Sequence, residues 1–380
     1  MVFLIDTIWT YVVPFLVILT IVVFVHELGH YLIARLSGVK IEVFSIGFGR
    51  ELVGWNDRLG TRWKISWIPL GGYVKFFGDE SAASTPQKGL DSLNASEREV
   101  SFHHKNLRQR AAIVAAGPIS NFIFAVAVYA VLFMTFGQVF APPVIDEVMP
   151  ESAAAIAKFK PGDRIIEING STISRFAEIQ QFVRMNPGRE LSVVVQREQA
   201  EVELAVTPKL TTITDNFGRE REIGLLGVTR SGGVELVRHD PFTAVVLAFS
   251  ETGRVITLTL DYIGQVVIGA RSGGDIGGPI GIARMSGEVF QLSFAAVLSF
   301  IAVLSISLGL INLFPIPLLD GGHLLFYAIE AVRGKPLGEK SQEYGFRIGL
   351  ALVLSLMVYA TWNDLSSIPQ VVDLVSRLFS

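Results

Sequence analysis

The sequence contains no cysteine among its 380 residues. Disulfide bonds, cysteine-ligated zinc, iron–sulfur clusters and a catalytic thiol are therefore excluded. Charge is scarce as well: 18% of the residues are charged and 50% are hydrophobic, whereas soluble domains carry about 25% charged residues. The net charge of −3 offers no basic surface of the kind that binds nucleic acid. Any metal ion must be held by carboxylates and by the six histidines.

Four apolar runs contain most of the hydrophobic excess. About 20 consecutive apolar residues cross a bilayer, so each run predicts a transmembrane helix, of which the fourth is short. A stretch after Asp240 and Pro241 has apolar residues at helical spacing and charges on its other side, which predicts an amphipathic helix on the membrane surface rather than a fifth span. The fold class is therefore an α-helical polytopic membrane protein. Its four predicted spans are 1–36, 110–140, 289–322 and 347–372.

Lysine and arginine near the ends of the spans predict the orientation. Basic residues follow the first span, precede the second and separate the third from the fourth. We therefore place the segments 37–109 and 323–346 in the cytoplasm. Both termini and the long segment between the second and third spans are then expected on the outside.

Segment 37–109 alternates β-forming residues with glycine and proline, which predicts a small membrane-associated β-hairpin sheet followed by a polar loop. One interpretation of this sheet is a structural cap. The other is an edge strand that offers backbone groups to an extended substrate.

Segment 141–210 predicts one compact α/β domain. Its order P-x-S-A-A…G-D-x-I-x-x-I-N-G resembles that of a PDZ domain. PDZ domains bind extended peptides by strand addition, and an inert spacer or size filter is the alternative. Segment 211–288 is predicted to hold a linker, the surface helix and a glycine-rich loop. Segment 373–380 is predicted to be a tail.

An HExxH motif lies near the end of the first predicted span. His26 and His30 are four residues apart, so a helix places both imidazoles on one face, which suits two zinc ligands. Glu27 lies beside them, where its carboxylate can accept a proton from water. A pair of hydrogen-bonded core histidines is the alternative, but ionisable groups inside a membrane are costly and mark function by default.

Two histidines leave zinc short of a third protein ligand, and the downstream histidine of soluble HExxH proteases is missing here. Asp320 is the strongest candidate because it follows Pro315 and Pro317, which end the third apolar run and allow extended backbone to line a cavity. An aspartate that faces water is the alternative. His323 is a rival ligand. The pair at 103–104 lies in a polar segment and is predicted to be solvated.

Three segments together resemble the site-2 protease family of intramembrane zinc metalloproteases. They are the HExxH motif, GPISNF at 117–122, and N-x-x-P-x-P-x-L-D-G at 312–321. The PDZ-like segment, SIGFG, IPLGGYVK and GGPIGIA narrow the resemblance to the bacterial RseP-type (regulator of sigma-E protease) branch. It covers essentially the whole chain. One departure is that residues 210–240 are too few for a second PDZ domain, so this chain resembles the single-PDZ members.

The resemblance implies a zinc cofactor held by His26, His30 and Asp320, with Glu27 as the general base. It also implies that two residues of the second span shape the site. These are Gly117 and Asn121, and for Asn121 a purely structural hydrogen bond between helices is the alternative.

The resemblance further implies how substrate is held. Asn312 would position the substrate at the segment that contains Pro315 and Pro317. Tyr73 and the strand that contains Gly72 would pair with it.

The implied function is a zinc endopeptidase in the bacterial inner membrane, with its active site towards the cytoplasmic side. The implied substrates are single-span membrane proteins, such as an anti-sigma factor already cut outside by another protease, and remnant signal peptides. The lipid bilayer is a partner, a peptide at the PDZ-like domain is another candidate, and nucleic acid is not expected. Two rival hypotheses are a metal transporter, for which the inverted repeat common in that class is missing, and a PDZ scaffold with a degenerate site.

Overall fold

The computed structural model describes residues 6–79, 93–214, 220–230, 235–269 and 277–366. The predicted tail, part of the polar loop and part of the glycine-rich loop lie outside these residues. The chain forms two compact units. The first combines Met1–Leu132 with Asp240–Asp364, and the second contains Phe133–His239.

Within the described residues, five helices are long and apolar enough to cross a membrane. The chain is therefore a mostly helical protein with several candidate membrane helices. Four of them correspond to the predicted spans, and the fifth is the helix that the sequence predicted to lie on the membrane surface. The four-span count therefore stays a prediction. The five are α1 (Val13–Leu36, extended at its start by a π-helical turn, Ile8–Val12), α3 (Leu107–Thr135), α6 (Pro241–Val267), α8 (Phe294–Leu313) and α10 (Glu339–Ser366).

The third apolar run is divided, in contrast to the single predicted span 289–322. Helix α7 (Pro279–Leu292) ends before Ser293, whose hydroxyl accepts a hydrogen bond from the Ala296 amide and so caps α8. Helix α8 ends before Pro315 and Pro317, because proline lacks the amide hydrogen that would continue the helix.

The segment 323–346 was predicted to be a loop, but most of it is helical. Helix α9 (Asp320–Arg333) begins at Asp320 and ends at Gly334, whose positive φ of 70° suits a helix C-terminus. Helix α10 then begins at Glu339, earlier than the predicted start of the fourth span. Asp320 thus begins a new helix instead of ending the third span.

The predicted small sheet is formed by β1 (Ile41–Asn56) and β2 (Arg62–Phe76). Both strands bend, so that each consists of two halves that pair separately. The first half of β1 lies between the two halves of β2, and the second half of β1 pairs with the first half of β2. Within the described residues, the segment 72–76 is therefore one edge of this sheet.

The predicted polar loop contains a short helix, α2 (Ala95–Val100). It forms because Asn94 and Glu97 make a reciprocal capping box, in which each side chain accepts a hydrogen bond from the backbone of the other. A 3-10 turn (Phe102–His104) then leads to α3.

One hydrophobic cluster joins α1, the sheet and α3. It contains Tyr31 from α1, Phe44 and Val74 from the sheet, Phe102 from the turn and Ile113 from α3, all of them buried. Helix α1 is therefore packed between the sheet and α3 near its HExxH segment.

The second unit contains short strands and two short helices, and the assignment of 141–210 as one PDZ-like domain stays a prediction. Its elements are β3 (Gln138–Phe140), β4 (Glu147–Val148), α4 (Ala153–Ile156), β5 (Arg164–Ile168), β6 (Ser171–Thr172), α5 (Phe176–Met185), β7 (Leu191–Arg197), β8 (Ala200–Val206), β9 (Lys209–Thr214), β10 (Glu220–Leu225), β11 (Val228–Thr229) and β12 (Glu235–Val237). The main sheet has the order β6-β5-β7-β8. The unit continues beyond residue 210, because β11 pairs with β4 and Leu226 is buried in its core.

An ion pair lies at one end of that sheet. The Arg197 guanidinium donates two hydrogen bonds to the buried Asp163 carboxylate, at 2.7 Å and 2.8 Å. Burial alone would raise the pKa of Asp163, but the bonds from Arg197 and from the Lys160 amide hold that pKa below its usual range.

We expect Arg197→Met to destabilise the second unit by about 1–3 kcal/mol near neutral pH, because it leaves a buried carboxylate without its partner. Since the pKa of Asp163 is lower in the folded than in the unfolded state, the pair stabilises the wild type above the unfolded-state pKa. That contribution is lost as the pH falls through the folded-state pKa, so the variant should be less sensitive to acid below about pH 4.

Hydrogen exchange of the β7 amides at neutral and acid pH measures both effects. The exposed Arg189 provides a matched control, Arg189→Met. Equal losses of protection in the two variants would contradict the role of the ion pair.

Candidate active site and metal centre

Helix α1 places His26 and His30 on one face, four residues apart. Their Nε2 atoms are 3.2 Å apart. His30 Nδ1 lies 2.8 Å from the Ile113 carbonyl oxygen of α3. Because a carbonyl only accepts, this contact requires the proton on Nδ1 and leaves the Nε2 lone pair of His30 free to face His26.

Asp320 completes a cluster of three possible metal donors. Its Oδ2 is 3.1 Å from His26 Nε2 and 3.5 Å from His30 Nε2. This oxygen is buried and faces both imidazole nitrogens. Among the described residues, His26, His30 and Asp320 are the one group of three whose donor atoms could hold a metal ion together.

The chain reaches this position by folding sharply back after α8. A Cβ at Gly321 would lie 2.2 Å from the Phe314 carbonyl oxygen, and a Cβ at Gly322 would lie 2.4 Å from the Ile316 carbonyl oxygen. No side chain fits at such distances. The two glycines therefore permit the first turn of α9 to pack against the segment that precedes it, and this packing positions Asp320.

The spacing of the three donors fits zinc. Ligand atoms at about 2.0–2.1 Å from a tetrahedral zinc ion lie about 3.3 Å from one another. The three separations here are 3.1, 3.2 and 3.5 Å. Two imidazole nitrogens and one carboxylate oxygen are also a ligand set that catalytic zinc sites use.

Helix α3 approaches the two histidines through a glycine. A Cβ at Gly117 would lie 2.3 Å from His30 Nε2 and 2.9 Å from His26 Cε1. On α1, a Cβ at Gly29 would lie 2.3 Å from the Ala116 carbonyl oxygen. The backbones of α1 and α3 therefore meet where neither has a side chain.

Helix α9 is also tied to α3 by an ion pair that sequence reasoning did not find. The Arg110 guanidinium donates to the Glu330 carboxylate at 2.5 Å and lies 5.0 Å from the centre of the Tyr327 ring. The two charges are 220 positions apart in the sequence, and no local pattern pairs them.

Glu27 lies beside the metal cluster and against the sheet edge. The backbone amide of Val74 in that edge faces the Glu27 carboxylate. A Cβ at Gly72 would lie 3.0 Å from Glu27 Cγ. Tyr73, between these two residues, stacks on Phe48, with ring centres 6.1 Å apart. The edge 72–76 therefore passes directly by Glu27.

The proline-containing segment lies between α8 and α9. Asn312 is half-buried in the last turn of α8, and no hydrogen bond in the described part of the chain joins it to the three donor residues. Pro315 is exposed, and Pro317 packs against α10 at Gly349. The substrate-binding roles of these residues stay predictions.

The remaining histidines lie outside the donor cluster. The rival ligand His323 packs against the Phe346 ring. The prediction that His103 is solvated was wrong: its Nε2 lies 2.8 Å from Oδ1 of the fully buried Asp79 carboxylate, and His104 contacts the Ser101 hydroxyl. The close partner of His103 comes from the end of the sheet, which the sequence spacing did not reveal.

Comparison with known proteins identifies the family. The profile of peptidase family M50 matches residues 14–356. The chain belongs to peptidase family M50. It is a metalloprotease, and the M50 (site-2 protease) family uses zinc. A protein of Agrobacterium fabrum that is provisionally named a zinc metalloprotease is 49% identical over 362 residues, which cover 94% of this chain and 96% of the relative. The metalloprotease MmpA of Caulobacter vibrioides is 40% identical over 377 residues, which cover 93% of this chain and 95% of MmpA.

We expect Gly117→Ala in this M50 protease to displace the His30 imidazole, because the new methyl group would overlap Nε2. Zinc affinity should fall at least about tenfold, measured by competition with a chelator on the purified protein. The matched control is Gly253→Ala in α6, where a Cβ meets no atom within 4 Å. Unchanged zinc affinity in Gly117→Ala would contradict the proposed close approach.

Proposed function

We propose that the protein is a zinc-dependent intramembrane endopeptidase that cleaves the transmembrane segments of single-span membrane proteins. The observation that carries the proposal is the position of Glu27, which lies between a zinc-compatible donor cluster and the open edge of a sheet. Membership of the M50 family and the five apolar helices support the same conclusion.

His26, His30 and Asp320 are the proposed zinc ligands. When bound, zinc supplies a Lewis acid that polarises the scissile carbonyl and lowers the pKa of water. The Glu27 carboxylate takes a proton from the attacking water and delivers it to the leaving amine. Its contact with the Val74 amide holds it at the edge of the sheet.

The substrate must be extended before it is cut, since a helix hides its carbonyl groups within its own hydrogen bonds. We propose that the edge 72–76 holds the unwound segment by strand addition, with Gly72 and Tyr73 in contact with it. This edge is suitable because it passes directly beside Glu27. Asn312, Pro315 and Pro317 are proposed to help position the substrate.

The proposed setting is the bacterial inner membrane, with the active site towards the cytoplasm and with the termini and the second unit outside, as the basic residues near the spans indicate. An anti-sigma factor already trimmed by another protease, or a remnant signal peptide, fits the proposed substrate class. The second unit is proposed to be a single PDZ-like domain that binds an extended peptide or filters substrates by size.

We expect Glu27→Gln to fold and to keep its zinc but to cleave a model single-span substrate at least about 100-fold more slowly. The reason is that an amide cannot accept the proton from water. Cleavage is followed in proteoliposomes, and zinc content is measured on the same preparation.

The matched control is Glu343→Gln, which removes an exposed carboxylate from α10. Undiminished cleavage by purified Glu27→Gln would overturn the assignment. A loss of zinc in the same variant would show instead that Glu27 has a structural role at the site.

A further inference from the structure

The Nδ1 atoms of the two histidines, which point away from the donor cluster, both face α3. His30 Nδ1 faces the Ile113 carbonyl, and His26 Nδ1 lies 3.2 Å from the side-chain amide of Asn121. Ile113, Gly117 and Asn121 are spaced by four residues, so they form one stripe along the helix. One face of α3 therefore approaches both imidazoles. Ile113 and Asn121 approach their Nδ1 atoms, and Gly117 approaches the sides nearer the donor cluster.

Asn121 is a buried polar residue with an incomplete set of partners. Its side chain is fully buried, and its Oδ1 has no hydrogen-bond partner. Its Nδ2 is the atom that approaches His26 Nδ1. An amide nitrogen only donates, so in this orientation Nδ1 of His26 is an acceptor and the proton of the neutral ring lies on Nε2.

That proton position suits the metal-free cluster but prevents His26 from binding a metal ion. His26 Nε2 points towards His30 Nε2 and Asp320 Oδ2, at 3.2 Å and 3.1 Å. A zinc ligand needs a free lone pair on this nitrogen. A half-turn of the Asn121 amide exchanges its oxygen and nitrogen without changing its shape. Oδ1 then accepts from His26 Nδ1–H, and Nε2 becomes free to bind.

We propose that Asn121 is a positioning residue for the metal, whose side-chain oxygen accepts a hydrogen bond from His26 Nδ1–H and thereby holds the tautomer that presents Nε2. The Ile113 carbonyl performs the same task for His30. Metal-ligating histidines in proteins generally donate their second N–H to a carbonyl or carboxylate. The inference rests on the proposed ligand role of His26.

Two further hydrogen bonds hold α3 in place around Asn121 independently of His26. The Ser305 hydroxyl of α8 donates to the Asn121 backbone oxygen at 2.9 Å. The Ser120 hydroxyl donates to the Val25 carbonyl of α1 at 2.8 Å. Helix α3 is thus connected to α8 and to α1 next to the histidine that Asn121 orients.

Two substitutions separate an acceptor role from a donor role or from packing. Asn121→Asp keeps an oxygen acceptor and removes the donor, while Asn121→Leu keeps the size and removes both. We expect the leucine variant to bind zinc about 10–100-fold more weakly and the aspartate variant to stay within about threefold of the wild type. Zinc affinity is measured by chelator competition on the full-length purified protein, together with the melting temperature of the metal-free form.

Ser286→Ala in α7 is the control, because it removes a buried serine hydrogen bond, to the Ile282 carbonyl, that involves neither Asn121 nor the donor residues. It should keep the zinc affinity of the wild type. Equal weakening by Asn121→Asp and Asn121→Leu would overturn the acceptor role, as would wild-type affinity in Asn121→Leu. If His26→Ala itself keeps zinc, the proposed ligand set fails instead, so the two failures are distinguishable.

A measurement on the wild type covers the case in which a variant does not fold. In the zinc-loaded protein labelled with ¹⁵N-histidine, we expect the Nδ1 of His26 to carry a proton. An unprotonated Nδ1 with zinc bound would overturn the proposal.

Discussion

The close approach of α1 and α3 is the constraint on which the site depends. The two helices meet where Gly117 leaves room for both imidazoles, and the same approach brings the Ile113 carbonyl and Asn121 to their outer nitrogens. A larger separation would remove these contacts together, since they lie on one stripe of one helix. Metal geometry and histidine orientation are therefore consequences of helix packing, and zinc needs both.

The third donor depends on a different constraint, the reversal of the chain after α8. Proline ends the helix, and Gly321 and Gly322 allow the next one to begin against the preceding backbone. The result is a buried carboxylate oxygen that faces two imidazole nitrogens, a position that is expensive for a carboxylate unless a cation or a hydrogen-bond donor binds it. The pair Arg110–Glu330 joins α9 to α3 farther along the helix.

The sequence predicts those parts of this arrangement that local periodicity determines. Helical spacing alone predicts that His26 and His30 share one face of a helix. The two prolines before Asp320 indicate it as the third ligand. The division of the third apolar run was missed, since Ser293 as a cap is a weak signal inside an apolar stretch. The contacts of His30 with Ile113 and of Asp79 with His103 join distant segments, and composition and spacing carry no information about such pairs.

Glycine is the better sequence signal for how the site is assembled. Gly72, Gly117 and Gly321 each lie where a Cβ would overlap a neighbouring atom, and each brings a different backbone segment to the chemistry. One brings the sheet edge to Glu27, one brings α3 to the imidazoles, and one brings α9 back towards α8. A site inside a membrane cannot rely on water to satisfy its polar groups, so backbone must come close enough to do so. Such contact requires positions without side chains, and these positions are as much a part of the site as its ligands.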